Sequence, residues 1–145
     1  MELAWLVTVL ILINALIFLM LAILHFYWAA GGRWGVTATI PTHPNGSAIF
    51  SPSIFATVVV GVGLSALAVV HLINAKLFLL EFTLNRFATI GIGIIFFIRA
   101  IGDFKWVGLF KTVRETPFGR NDKKYYVPLC LFLSFSSLLI AYYDK

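Results

Sequence analysis

Three ionisable side chains fall inside strongly apolar runs of this 145-residue chain: His25, His71 and Arg99. Holding such groups in hydrocarbon is costly, so each is a candidate for function. Arginine offers a planar fork of donors suited to phosphate or carboxylate, and histidine can give or take a proton near neutral pH. Asp103 follows Arg99 by four residues, which on a helix puts a carboxylate one turn from the guanidinium. That spacing reads either as Asp103 fixing a snorkelling Arg99 at a helix end or as part of a ligand site.

Counting along the helices puts His25 and Arg99 each about five residues from the end of its apolar run, at a shared depth. Around them the sequence gathers Tyr27, Arg33, Trp34, Asp103, Arg120, Asp122 and Tyr126. Together these nine residues form the candidate ligand site, and His25 and Asp103 are its candidate catalytic groups. His71 counts to the opposite interface, about 30 Å away, which argues against a haem held between it and His25. His43 sits in a proline-rich loop, where solvation is the default.

Other chemistries find little support. There is no His-x-x-x-His, Glu-x-x-His or Cys-x-x-Cys, so neither a metal nor any other cofactor is expected. The lone cysteine, Cys130, cannot serve a disulfide relay, and in an apolar helix it reads as packing. Cys130 falls in the first turn of the last span near the His25 face, where a helix N-terminus would activate a thiol, so a Cys130–His25 nucleophile pair is the minor alternative to packing. Proton-coupled four-span exporters need a carboxylate deep in the membrane, where the first apolar run offers only Asn14, better read as an interhelical hydrogen bond.

The elements that must position these residues are helices in lipid. The chain is 61% hydrophobic and 12% charged with a mean hydropathy of +0.97, more apolar than a core of this size can hide from water. The expectation is a single all-α membrane domain, a four-transmembrane-helix bundle with spans near 3–30, 52–75, 87–104 and 126–143. The first run is too long for a signal-peptide core and reads as a retained helix.

Gly31-Gly32 should stop the first helix, with Trp28 and Trp34 as interfacial aromatics. Pro41, Pro44 and Asn45-Gly46 make a first loop, and Pro52 opens the second helix. Gly61, Gly63, Ser65 and Ala66 on that helix suit close packing. Lys76 to Arg86 reads as a short second loop. The basic stretch from Lys105 to Lys124 interleaves Trp106, Val107, Leu109, Phe110 and Val113 with cations, as an amphipathic helix lying in the interface would, broken at Pro117 and Gly119. A faint echo between Gly31–Gly35 and Phe104–Gly108 would mean two hairpins of similar plan, although chance explains it equally well.

The net charge of +5 sits beside apolar runs and not on a polar domain, which favours anionic lipid over nucleic acid as partner. The first and third loops with Arg99 hold eight basic residues against three on the other side, so the positive-inside rule puts those loops in the cytoplasm.

His25 to Gly35 with Ile40-Pro41, Arg99 to Phe104, Phe118 to Asp122 and Tyr126 to Leu131 together resemble a family of small four-helix bacterial membrane proteins catalogued only as a domain of unknown function. The resemblance runs nearly the length of the chain. It implies the four-span fold and a bacterial cytoplasmic membrane, and supplies no reaction or cofactor. Three functions stay open: binding an anionic lipid headgroup or small amphipathic ligand, an enzyme acting on a lipid-like substrate with His25 as acid or base, and an accessory subunit, as homo-oligomer or in a larger membrane complex.

Overall fold

The computed structural model describes residues 2–75 and 84–143. Its long helices are α1 (Glu2–Ala29), α3 (Ile54–Asn74), α4 (Asn85–Ile101) and α6 (Val127–Tyr143), with short helices α2 (Val36–Thr39) and α5 (Pro117–Asn121) in the loops. The described residues hold no strand, only one isolated bridge between Thr42 and Ala48. Most of the second loop, residues 76–83, lies outside the described residues.

Local chemistry explains the ends of these helices. At α1 the chain turns left-handed at Gly31, while the Gly31 and Gly32 N–H groups donate back to the Trp28 and Tyr27 carbonyls at 3.0 and 2.9 Å. This is the glycine C-cap expected of Gly31-Gly32. Ser53 caps α3 by accepting from the Ala56 N–H. α4 ends at Gly102, whose φ of 86° takes Asp103 out of helical register.

Four helices meet around one core. Phe18, Ala68, Ile92 and Leu133, one from each long helix, pack together with Leu64, Leu67, Phe96 and Leu129 at their margin. α1 lies against α3 and α4 against α6, and α1–α6 contacts join the two pairs. The outer faces carry exposed Leu16, Met20 and Ile23 on α1, Phe55 and Val62 on α3, Ile95 and Ile98 on α4, and Phe135 on α6. Water would penalise such a surface, whereas acyl chains would not.

Among the described residues, three helical stretches are long and apolar enough to cross a membrane: Ala4–Ala29, Ile54–Asn74 and Pro117–Tyr143. α4, with 17 residues, rises only about 25 Å against a hydrocarbon layer of about 30 Å.

Three sequence expectations about the stretch after α4 need correcting. The stretch after α4 is not an amphipathic interfacial helix: residues 102–116 form a non-helical loop, because Gly102 and Gly108 both take positive φ and their backbones touch. Nor does Pro117 break a helix. It opens one, its missing N–H costing nothing at the first position while Thr116 Oγ accepts from Gly119 N–H at 3.0 Å.

The last span accordingly begins at Pro117 instead of near Tyr126. Asp122–Tyr126 form a π-helical turn, with the Val127 N–H reaching the Asp122 carbonyl. Such a wide turn gives the Pro128 ring room that a regular α-turn would deny it.

Candidate functional site

Asp122 organises the loop end of the bundle. Fully buried, its carboxylate accepts from Arg99 Nη2 at 2.9 Å, Lys111 Nζ at 2.9 Å and the Gly108 N–H at 2.8 Å. The π-turn sets the carboxylate on the last helical run, Arg99 reaches it from the end of α4, and the loop between them supplies Lys111 and Gly108. Lys111 is only 2% exposed and spends a further bond on the Gly108 carbonyl at 3.0 Å. Two cations surround one carboxylate, so the cluster holds an excess positive charge. Arg99 is 34% exposed at its side chain, yet its Nη1 is buried with no hydrogen-bond partner.

The Arg99–Asp103 pair read from the four-residue spacing does not form. Arg99 turns to Asp122 instead, and Asp103 Oδ1 accepts the backbone N–H groups of Lys105, Trp106 and Val107 at 2.9, 2.7 and 2.9 Å. Slight burial works to raise the Asp103 carboxyl's pKa, but these backbone donors outweigh it and hold it below the usual range. Asp103 is thus the staple of its own loop.

The remaining candidates divide into two groups. His25 donates Nδ1–H to the Leu21 carbonyl at 2.7 Å, which leaves Nε2 as the acceptor, and its ring meets Trp28 edge-on at 5.0 Å. Trp28 Nε1 donates to the Trp34 carbonyl at 2.8 Å, and the Tyr27 ring lies directly against Gly32. These residues order the α1 stop. Tyr126 donates from its hydroxyl to the Ala38 carbonyl at 3.1 Å and tilts against Phe118, tying the first loop to the last helix. Arg33 and Arg120 are exposed and form no ion pair among the described residues.

The first and third loops therefore lie at one end of the molecule, with His43 also packed edge-on against Trp106 at 5.0 Å. Sequence reading missed Lys111, which looked like one more interfacial cation. The only signal was that Gly102 and Gly108 bracket a stretch short enough to fold back on itself.

His71 corrects the depth count. It is fully buried, level with Asn14 in the middle of α1: Asn14 Nδ2 is 3.2 Å from its Nε2 and Ser137 Oγ also 3.2 Å. Nδ1 donates to the Leu67 carbonyl at 3.0 Å, so Nε2 is the acceptor of this knot. Ser136 Oγ donates to Asn14 Oδ1 at 2.9 Å. α3 runs antiparallel to α1, which brings His71 inside the bundle and places it about 16 Å below His25 along α1. The interhelical role read for Asn14 is the one it plays.

Over residues 18–137 the chain matches the family described as protein of unknown function, DUF3995. It belongs to that family. The match takes in His71, Ser136 and Ser137 of the knot, the α1 stop, Arg99, the stapled loop and Asp122, so the DUF3995 segment contains the whole Asp122 cluster, while Asn14 lies just before it. No curated protein and no solved structure matches the chain. Among the described residues of this DUF3995 protein, no group of three or more His, Cys, Asp or Glu side chains gathers as metal ligands would.

Proposed function

We propose that this DUF3995 protein is a four-span membrane protein of a bacterial cytoplasmic membrane, with α4 as the fourth crossing, and that it binds an anionic lipid headgroup or a small amphipathic anion at its loop end. The observation that carries the reading is the Arg99 guanidinium. One nitrogen is fixed by Asp122, while Nη1 is buried without a partner beside a cluster of net positive charge. A buried donor left unmade costs roughly 1–3 kcal/mol, and an anionic oxygen would recover that and neutralise the excess charge.

In this reading Asp122 and Lys111 hold Arg99 and do not themselves bind the ligand. Arg33 and Arg120, exposed at the same end, attract the anion, and Trp28 and Trp34 seat the site at headgroup depth. The basic loops lie on the cytoplasmic side.

The test is retention of lipid by purified protein, measured by mass spectrometry after exchange into vesicles containing phosphatidylglycerol. Wild type should retain the anionic lipid, and Arg99→Gln should lose it while remaining folded. Equal retention by the two proteins would refute the site.

A further inference from the structure

The loop between α4 and α5 is stapled in a way that water would not require. Asp103 gathers three consecutive backbone N–H groups, Asp122 takes the Gly108 N–H, the Asp103 N–H donates to the Val107 carbonyl at 3.1 Å, and Lys111 caps the Gly108 carbonyl. The backbone then folds back: the Leu109 N–H donates to the Ala100 carbonyl at 2.8 Å, so Leu109 lies beside the last turn of α4. Non-helical backbone at membrane depth needs internal partners of this kind, because lipid supplies none.

The depth of the loop can be counted from the knot. Ser136 and Ser137 are level with Asn14, and Ser134 Oγ donates to the Gly93 carbonyl at 2.8 Å. At about 1.5 Å per residue, α1 rises about 22 Å from Asn14 to Ala29, while α4 ends about 16 Å above the same level. α4 thus stops roughly one helical turn, about 6 Å, short of the layer marked by Trp28. What continues outward from its end is the stapled loop.

That loop exposes Asp103, Lys105 and Thr112, and beside them three large apolar side chains. Phe104, Leu109 and Phe110 are all exposed, with the Phe104 and Phe110 rings stacked at 6.1 Å. Phe104 holds a φ of 64°, a left-handed conformation costly for a phenylalanine, and spends it on an exposed position. Leu109 beside Ala100 makes this patch continuous with the apolar face of α4 that bears Ile95 and Ile98.

We propose that the 102–112 loop is a membrane anchor: Phe104, Leu109 and Phe110 insert among the upper acyl chains of the bilayer, completing the crossing that α4 leaves short, while the exposed Asp103 carboxylate stays at the water-facing headgroup level. Lys105, its cation 5.2 Å over the Trp106 ring, sits at the phosphate level above them. The inference rests on the four-span reading and is independent of any headgroup at Arg99.

The test uses full-length protein in vesicles of phosphatidylethanolamine and phosphatidylglycerol, with single cysteines spin-labelled at 104, 109, 110, 105 and 114 in a Cys130→Ala background. Oxygen, which concentrates in acyl chains, should broaden labels at 104, 109 and 110 several-fold more than a water-soluble nickel chelate does. Labels at 105 and 114 should show the reverse. Nickel access at 109 and 110 equal to that at 105 would overturn the anchor, as would low access to both reagents, which would mean that protein covers the patch. Positions 109 and 110 decide the matter should the strained position 104 reject a label. Lipid retention that depends on Arg99 would survive either result, so the two proposals fail separately.

Discussion

At the residue scale, Asp122 is the side chain on which most else depends. Removing it leaves Lys111 buried as an unpaired cation and Arg99 without its anchor. Breaking a buried pair from one side costs about 3–5 kcal/mol. Asp122→Asn should lower stability by about that much, read as a fall in unfolding midpoint in a denaturing-detergent titration; a change of a few tenths would mean that the cluster is more open than its burial implies. Asp103 behaves differently. Its folded pKa lies below its unfolded value, so its contribution is complete above the ordinary carboxylate range and is lost as pH falls through the folded value. Wild-type stability should therefore drop below about pH 4, and Asp103→Asn should flatten that part of the profile. An unaltered acid limb would assign it to other carboxylates. Neither role was legible from spacing alone. The i,i+4 relation of Arg99 and Asp103 holds only inside a helix, and Gly102 ends that helix before Asp103 is reached.

At the scale of elements, the two glycines of the third loop are its folding code. Both have positive φ, and a Cβ at Gly108 would come 2.5 Å from Gly102 Cα. Gly108→Ala should cost at least about 1–2 kcal/mol from the left-handed backbone alone, and more from the clash. Gly63→Ala, on an open helix surface where a Cβ meets nothing within 4 Å, should be neutral or slightly stabilising in the same detergent titration. Similar losses at both positions would show that the close approach is unimportant. Elements set by local chemistry could be read in advance: the Gly31-Gly32 stop needs only a glycine after an apolar run, and α3 opens within two residues of its expected start. The loop, the π-turn and the early beginning of the last helix could not. They depend on Asp122 meeting Arg99 and Lys111, partners 23 and 11 residues away, and no periodic pattern records that meeting.

At the scale of the molecule, the knot at Asn14, His71, Ser136 and Ser137 joins α1, α3 and α6 at one level in an otherwise apolar interior. Interhelical hydrogen bonds in lipid are worth about 0.6 kcal/mol on average and up to about 1.7. Asn14→Leu should then lose about 1–2 kcal/mol, since it strips partners from His71 and Ser136 together. A larger loss would point to failed packing in place of lost bonds, and His71→Leu combined with Asn14→Leu would separate the two by a double-mutant cycle.

The order in which the chain is made gives the Asp122 cluster a further meaning. When the ribosome has delivered residues through Phe110, α4 is a short apolar helix carrying an arginine, with the acid that will receive it still unsynthesised. With α4 as the proposed fourth crossing, its release into lipid should wait for Asp122, so that the second half of the protein partitions as a hairpin and not one helix at a time. A glycosylation-mapped truncation series should accordingly find α4 poorly inserted when the chain stops near residue 115 and well inserted once it extends through Tyr143.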